Sequence, residues 1–224
     1  MNVSRFFWTV KDAGKEVLVE SNTVGHVAEF VGNNFLSVFL VSTEKGYARE
    51  INGTEIKMSR SIHFSEFLTE KPLTGYLKET DIEDKETVVD AGAYPGEFSI
   101  YAAKNGADVI AVEPDPHNAD ELRGNIELNN LEDKVDVVEK GLWDQKDTKK
   151  MERDVQFGLG SQIKDKGKLT IELDTLDNIC SGRDSVDLVK MDIEGAEMKA
   201  LKGAKQTINE SAPEFAIATY HVDE

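Results

Sequence analysis

The sequence predicts an α/β protein with a doubly wound, mostly parallel sheet and a β-rich N-terminal extension. Three observations carry that expectation. Val88 to Pro116 reads as strand, glycine turn, helix, strand and acidic turn, which is one complete βαβ unit. The alternation continues towards the C-terminus, with apolar runs at 134–139, 186–191 and 215–220 separated by helical patterns. The first 80 residues lack it and carry short β-rich runs joined by hairpin turns. The expected division is an extension or cap over 1–80 and a main domain over 81–224.

Thr87, Val88 and Val89 form a short apolar run that ends on Asp90. Ala91-Gly92-Ala93-Tyr94-Pro95-Gly96 turns the chain, and Gly92 and Gly96 can adopt backbone angles that side chains forbid. Glu97 to Lys104 has helical spacing, and Gly106 stands where a helix stop belongs. Val109 to Val112 is the second strand, ending on Glu113. Such a unit implies a parallel pair with a right-handed crossover.

In open α/β sheets ligands sit at the carboxyl ends of the strands. The backbone amides of Gly92 to Gly96 are expected to face a ligand at the helix N-terminus. Glu113, roughly 20 residues on, is placed to accept hydrogen bonds from two ribose hydroxyls. A nucleoside-containing cofactor is the chemistry implied. The loop is Asp90-x-Gly92-x-x-x-Gly96, not G-x-G-x-x-G. A carboxylate at Asp90 repels a pyrophosphate and suits a positively charged amino-acid tail, which favours S-adenosylmethionine (SAM) over NAD. The bland alternative is a βαβ unit whose glycines serve only the turn. It leaves two acidic residues at adjacent strand ends with no packing reason.

Three blocks make the pattern specific. Asp90-Ala-Gly-Ala-Tyr-Pro-Gly96, Glu113-Pro-Asp-Pro116 and Lys190-Met-Asp-Ile-Glu-Gly-Ala-Glu197 resemble, in order, the signature blocks of the FkbM-type SAM-dependent methyltransferases. The resemblance covers roughly Thr80 to His221 and implies the Rossmann-like class I methyltransferase fold. It implies that Asp90, Gly92, Ala93 and Tyr94 line the methionine end of SAM, that Ala91 and Gly96 also belong to the cofactor site, and that Glu113 holds the ribose. Pro114, Asp115 and Asn118 would border the nucleoside, Gly141 and Leu142 the adenine. Asp192 would lie closest to the methyl group. Tyr94 departs from the family, which usually carries Asn there. The implied acceptor is a hydroxyl on a small metabolite, sugar or lipid-linked glycan.

Composition narrows the partners. The chain has 224 residues, enough for one sizeable core with an appendage. Its 43 acidic and 26 basic residues give a net charge of −17. That surface repels nucleic acid and anionic membranes, so neither is an expected partner. Cys180 is the only cysteine, which excludes an intrachain disulfide and fits a cytoplasmic location. It reads as a packed small residue. MNVSRFFWTV carries no secretion-signal pattern, and the longest apolar run, Phe35 to Val41, is too short to span a membrane.

Phe6–Val10 and Glu16–Glu20 read as a hairpin, Val24–Val31 as a short helix or broken strand, and Phe35–Val41 as a buried strand. Asn52-Gly53 marks a second hairpin. Segments 65–69 and 74–79 read as helical. Pro116–Asn130 is an amphipathic helix, and Asp144–Lys168 is either a mobile flap or hides short strands. Trp143 reads as a core or lid residue. Asp174 reads as the N-cap of a helix through Ile179. Ala196–Ile208 reads as one helix with Met198, Leu201 and Ile208 inward. A methyltransferase sheet normally has two strands beyond Phe215–Tyr220, and the N-terminal strands are expected to take their place. A bare edge would invite association, a homodimer included.

Three ionisable groups are expected at the strand ends: Asp192, Glu194 and His221. His221 is the best base in principle because its intrinsic pKa is near neutral. Glu194 and Glu197 could instead hold the turn and the helix start. No metal is expected, since no further carboxylate completes an Asp192-x-Glu194 site and His26, His63 and His117 lack zinc spacing. Two rival readings stand beside methyl transfer: an NAD-dependent oxidoreductase, and a SAM-binding protein without turnover.

Overall fold

The computed structural model describes residues 6–12, 15–22, 25–29, 39–42, 46–51, 53–59, 76, 82, 86–153, 162–163 and 167–218. Among these, side chains are described for 48, 50–51 and from 53 on, except 162. The chain forms two compact units, Met1–Ile62 and His63–Glu224.

The first unit is an antiparallel meander of six strands: β1 (Phe6–Asp12), β2 (Lys15–Asn22), β3 (Gly25–Glu29), β4 (Phe39–Ser42), β5 (Gly46–Ile51) and β6 (Thr54–Ser59). Each strand pairs with its neighbour in sequence because short turns make that the nearest partner. Asp12 faces Lys15 at the first hairpin, and Ile51 faces Thr54 across Asn52-Gly53. Gly53 has φ +81°, as that tight turn requires. The 24–31 segment is a strand, β3, not a helix. Residues 35–38, expected in β4, and the helical readings at 65–69 and 74–79 lie outside the described residues, Tyr76 excepted. Ala48, Ile51, Ile56 and Met58 are buried. Among the described residues the meander strands form a sheet of their own and, contrary to expectation, are not strands of the parallel sheet. Pairing local in sequence closes each N-terminal strand against the next one instead.

The second unit carries β7 (Thr87–Ala91), β8 (Asp108–Val112), β9 (Val135–Val138), β10 (Gly141–Leu142), β11 (Asp147–Glu152), β12 (Gln162–Ile163), β13 (Leu169–Asp174), β14 (Leu188–Met191) and β15 (Glu214–Ile217). Its helices are α1 (Glu97–Lys104), α2 (Pro116–Leu128), α3 (Leu176–Ile179), α4 (Glu197–Lys202) and α5 (Lys205–Ser211). The central sheet has the order β15-β14-β7-β8-β9, and every pair in it is parallel. From β7 the chain steps outward to β8 and β9, then returns to the other side as β14 and β15. The sequence order therefore reverses between β7 and β14.

Val89, Ala91, Ile110, Val112, Val189 and Met191 pack with Leu176, Cys180, Ala200 and Ala204 in one cluster. Val88, Asp90, Val109 and Ala111, of opposite parity, are buried as well. Both faces are thus covered, which is why these strands read as continuous apolar runs. Cys180 is a buried free thiol pushed up to about 11 by burial, consistent with a packing role. The 144–168 stretch does hide short strands: β11 and β12 join β10 and β13 in a second sheet.

Two local expectations are corrected. The cap of α3 is Thr175, whose hydroxyl accepts from the Asn178 amide, while Asp174 ends β13. The expected helix over 196–208 is two helices, broken at Gly203. Met198 is 59% exposed and Ile208 37%, not inward. The break turns the face: small residues, Ala200 and Ala204, fill the core side instead. Gly203 is required by closeness, because a Cβ there would lie 2.2 Å from the Trp143 carbonyl oxygen.

Two glycine substitutions should therefore differ in sign. Gly203→Ala should destabilise by about 1–3 kcal/mol through overpacking. Gly124→Ala, inside α2 with nothing within 4 Å of the added Cβ, should stabilise by about 0.5–1 kcal/mol. Denaturant melts of the two variants check both.

Candidate active site

The point where strand order reverses is where an open α/β sheet leaves a crevice. Here it lies at the carboxyl ends of β7 and β14. Asp90 and Lys190 are register partners across that pair. Both are buried, and the Lys190 ammonium lies 2.9 Å from Asp90 Oδ1 as an ion-pair contact without hydrogen-bond alignment. The same ammonium donates to the Gly92 carbonyl at 2.9 Å. Ser99 Oγ, one turn into α1, donates to Asp90 Oδ2 at 2.6 Å.

Gly92 has φ +73°, which folds the chain back over the end of β8. Its amide and that of Ala93 both donate to the Val112 carbonyl, at 3.0 and 3.2 Å. The Tyr94 amide donates to Glu113 Oε2 at 3.4 Å. These three amides were expected to face a ligand. They bond to the protein instead, because the left-handed turn aims them at the end of β8. Gly96, φ +107°, stands at the N-terminus of α1, where a Cβ would press on Leu122 Cδ1 at 2.7 Å. The Tyr94 hydroxyl donates to Glu121 at 2.9 Å, so this departure from Asn ties the turn to α2.

Glu113 follows β8 and is 6% exposed. Its carboxylate accepts from the Asp115 amide at 3.0 Å, besides Tyr94. Burial dominates, and pushes its pKa from the usual 4.5 to about 7. Asp115 is fully buried, caps α2 through the His117 amide at 2.9 Å, and pairs with Arg153 through both carboxylate oxygens. Asn118 is buried beside it in sequence, and Pro114 is half-buried. Gly141 passes close to Pro114, with a Cβ position 3.6 Å from Pro114 Cβ, and the Leu142 side chain lies in the core.

Asp192 follows β14. Its amide donates to the Ala91 carbonyl at 3.0 Å, and a Cβ on Gly92 would lie 1.9 Å from its carbonyl oxygen. Its carboxylate accepts from the Tyr76 hydroxyl at 3.1 Å. Glu194 forms the turn at φ +56°. Glu197 is buried and accepts from the Ile193 amide at 3.0 Å, so it holds the turn. His221 lies outside the described residues. Among the described residues no cluster of three His, Cys, Asp or Glu could hold a metal.

Sequence reasoning gave no role to Lys190, Ser99, Arg153 or Tyr76. Lys190 carried a signal: a lysine inside the apolar run Val186 to Met191 must find a buried partner. Its pairing also weakens one argument, since Lys190 offsets the repulsion that Asp90 was expected to exert on a phosphate.

The three sequence blocks thus meet at one crevice, and the comparison with known families decides its identity. The chain matches the FkbM methyltransferase domain over residues 90–223. It belongs to the FkbM methyltransferase family. That is a family of SAM-dependent methyltransferases, and SAM is its cofactor. The residues present fit SAM: a desolvated carboxylate with two backbone donors at Glu113 can still accept from a vicinal diol, and Asp192 closes on the glycine turn.

Among solved structures, an FkbM methyltransferase from Methylobacillus flagellatus is 27% identical, with a TM-score of 0.48. The match covers 72% of this chain and 37% of that one, so the chain spans well under half its length. A SAM-dependent methyltransferase from Agrobacterium tumefaciens is 12% identical, with a TM-score of 0.44, covering 98% of this chain and 74% of that one. An O-methyltransferase from Bacillus cereus in complex with S-adenosylhomocysteine (SAH) is 18% identical, with a TM-score of 0.37, covering 66% and 56%. No curated protein matches the chain.

Two outcomes follow from this geometry. Glu113 keeps a proton in the fold at pH values where the unfolded chain has lost it. Stability attributable to it is therefore present below pH 4.5 and is lost as pH rises to about 7, by about 3 kcal/mol in all. Glu113→Gln should remove that slope, so denaturant melts should show the variant gaining on the native chain as pH rises through this window. Arg153→Ala should leave Asp115 buried without its counter-charge and destabilise by about 2–4 kcal/mol. The accompanying drop in SAH affinity would be read by calorimetry.

Proposed function

We propose that this chain transfers a methyl group from SAM to a hydroxyl on a small metabolite, sugar or glycan. One observation supports it above the others: Asp192, Glu113 and the Gly92 turn converge where the strand order reverses. SAM, when bound, supplies a methyl group already activated by its sulfonium charge. The chain's task is then to align the acceptor and exclude water.

In this reading Glu113 accepts from the ribose diol. Pro114, Asp115 and Asn118 border the nucleoside, while Gly141 and the Leu142 backbone border adenine. Asp90, Ala91, Gly92, Ala93, Tyr94 and Gly96 shape the methionine end, with Lys190 as the built-in counter-charge. Asp192 stands nearest the methyl group. Asp192, Glu194 and His221 are the candidates to take the acceptor proton. The acidic surface argues against a nucleic-acid acceptor, and the lone buried thiol fits a cytoplasmic setting. Among the described residues no helix is long and apolar enough to cross a membrane. Association as a homodimer belongs to the same proposal.

Calorimetry with SAM, SAH and NAD tests the cofactor reading. The native chain should bind both adenosyl ligands and not NAD. Glu113→Ala should weaken them about 10- to 100-fold, the range for hydrogen bonds to a charged group. Binding of NAD alone would overturn the reading in favour of an oxidoreductase. A screen of hydroxylated metabolites and glycans for methyl transfer then separates an enzyme from a SAM-binding protein without turnover.

A further inference from the structure

Tyr76 precedes the three sequence blocks and belongs to none of them, yet it touches the last of them at two residues and helix α1 at a third. Its hydroxyl donates to Asp192 Oδ2 at 3.1 Å. Its ring meets Phe98 of α1 edge-on, with centroids 6.1 Å apart and planes at 78°. The Lys190 ammonium lies 5.5 Å from the centre of the same ring. That ammonium is the one bound to Asp90 and to the Gly92 carbonyl.

We propose that Tyr76 is a positioning residue that fixes the Asp192 carboxylate at the methyl-transfer end of the site. The inference rests on the SAM reading of that site. A free aspartate samples several rotamers, and binding would have to order it. The phenol removes that freedom in advance. Its ring in turn is held by Phe98 and by the cation beneath it. The fixed oxygen orients the carboxylate, so its charge meets the sulfonium at a set angle. SAH has no such charge and should feel the orientation less.

Four proteins decide the matter: the native chain, Tyr76→Phe, Asp192→Asn and the double variant, each titrated with SAM and with SAH by calorimetry. Tyr76→Phe keeps the ring contacts and loses the hydroxyl donor, so it should fold as the native chain does and melt only slightly lower. SAM affinity should fall about fivefold, the scale of one net hydrogen bond, with SAH affinity nearly unchanged. The double variant should bind SAM no more weakly than Asp192→Asn alone, because the hydroxyl acts only through that carboxylate. Native-like SAM affinity in Tyr76→Phe, or effects of the two substitutions that simply add, would overturn the proposal while leaving the cofactor site intact. No SAM binding by the native chain would sink the cofactor reading and this one with it. Tyr76→Leu, which also removes the ring, should lose more affinity than Tyr76→Phe and melt lower; equal behaviour of the two would likewise count against a role for the hydroxyl.

Discussion

The buried pair of Asp90 and Lys190 joins the two strands whose divergence opens the crevice. Each charge sits in an apolar strand, among Val88, Val89, Leu188 and Val189. Alone, either would be costly to bury. Together they are register partners, and that fixes the alignment of β7 against β14. A slip of one residue would send one charge to the opposite face and leave both buried without a partner. The lysine then reaches past its partner to the Gly92 carbonyl, so the strand register and the shape of the turn are set by one side chain.

What surrounds that pair is built around desolvation. Glu113 lies under backbone at the end of β8, and the fold keeps it partly neutral at the expense of its own stability. Asp115, two residues on, is buried with an arginine instead. Neighbouring carboxylates thus meet different environments: one accepts from two backbone amides, the other from an arginine as well as an amide. Such a division is expected where a ligand with hydroxyl groups completes the site.

Much of this was legible in the sequence because it is local. The βαβ unit, its glycine turn and the stop at Gly106 are dictated by period and backbone freedom, and the structure has each of them. The same holds for the Asn52-Gly53 hairpin. Sequence pattern failed where the deciding contact is remote. The break at Gly203 is set by the Trp143 backbone, which no helical period reveals. The amides of the turn were assigned to a ligand because the end of β8, their real acceptor, is a tertiary neighbour. Arg153 and Tyr76 reach their carboxylates across 38 and 116 residues of chain, with no motif to announce them.

The close approach of Gly92 to Asp192 has an evolutionary side. With a Cβ position at 92 only 1.9 Å from a carbonyl oxygen, the first and last blocks compete for the same volume. Neither loop can drift alone: a bulkier residue at 92 demands a displaced chain after β14, and a remodelled turn at 192 finds the glycine already against it. Chimeras that graft only one of these loops from a relative inherit a clash, whereas those that move both as a unit carry their geometry with them. Diversification of such a fold is thereby pushed away from the strand ends and towards segments that share no atoms with this contact.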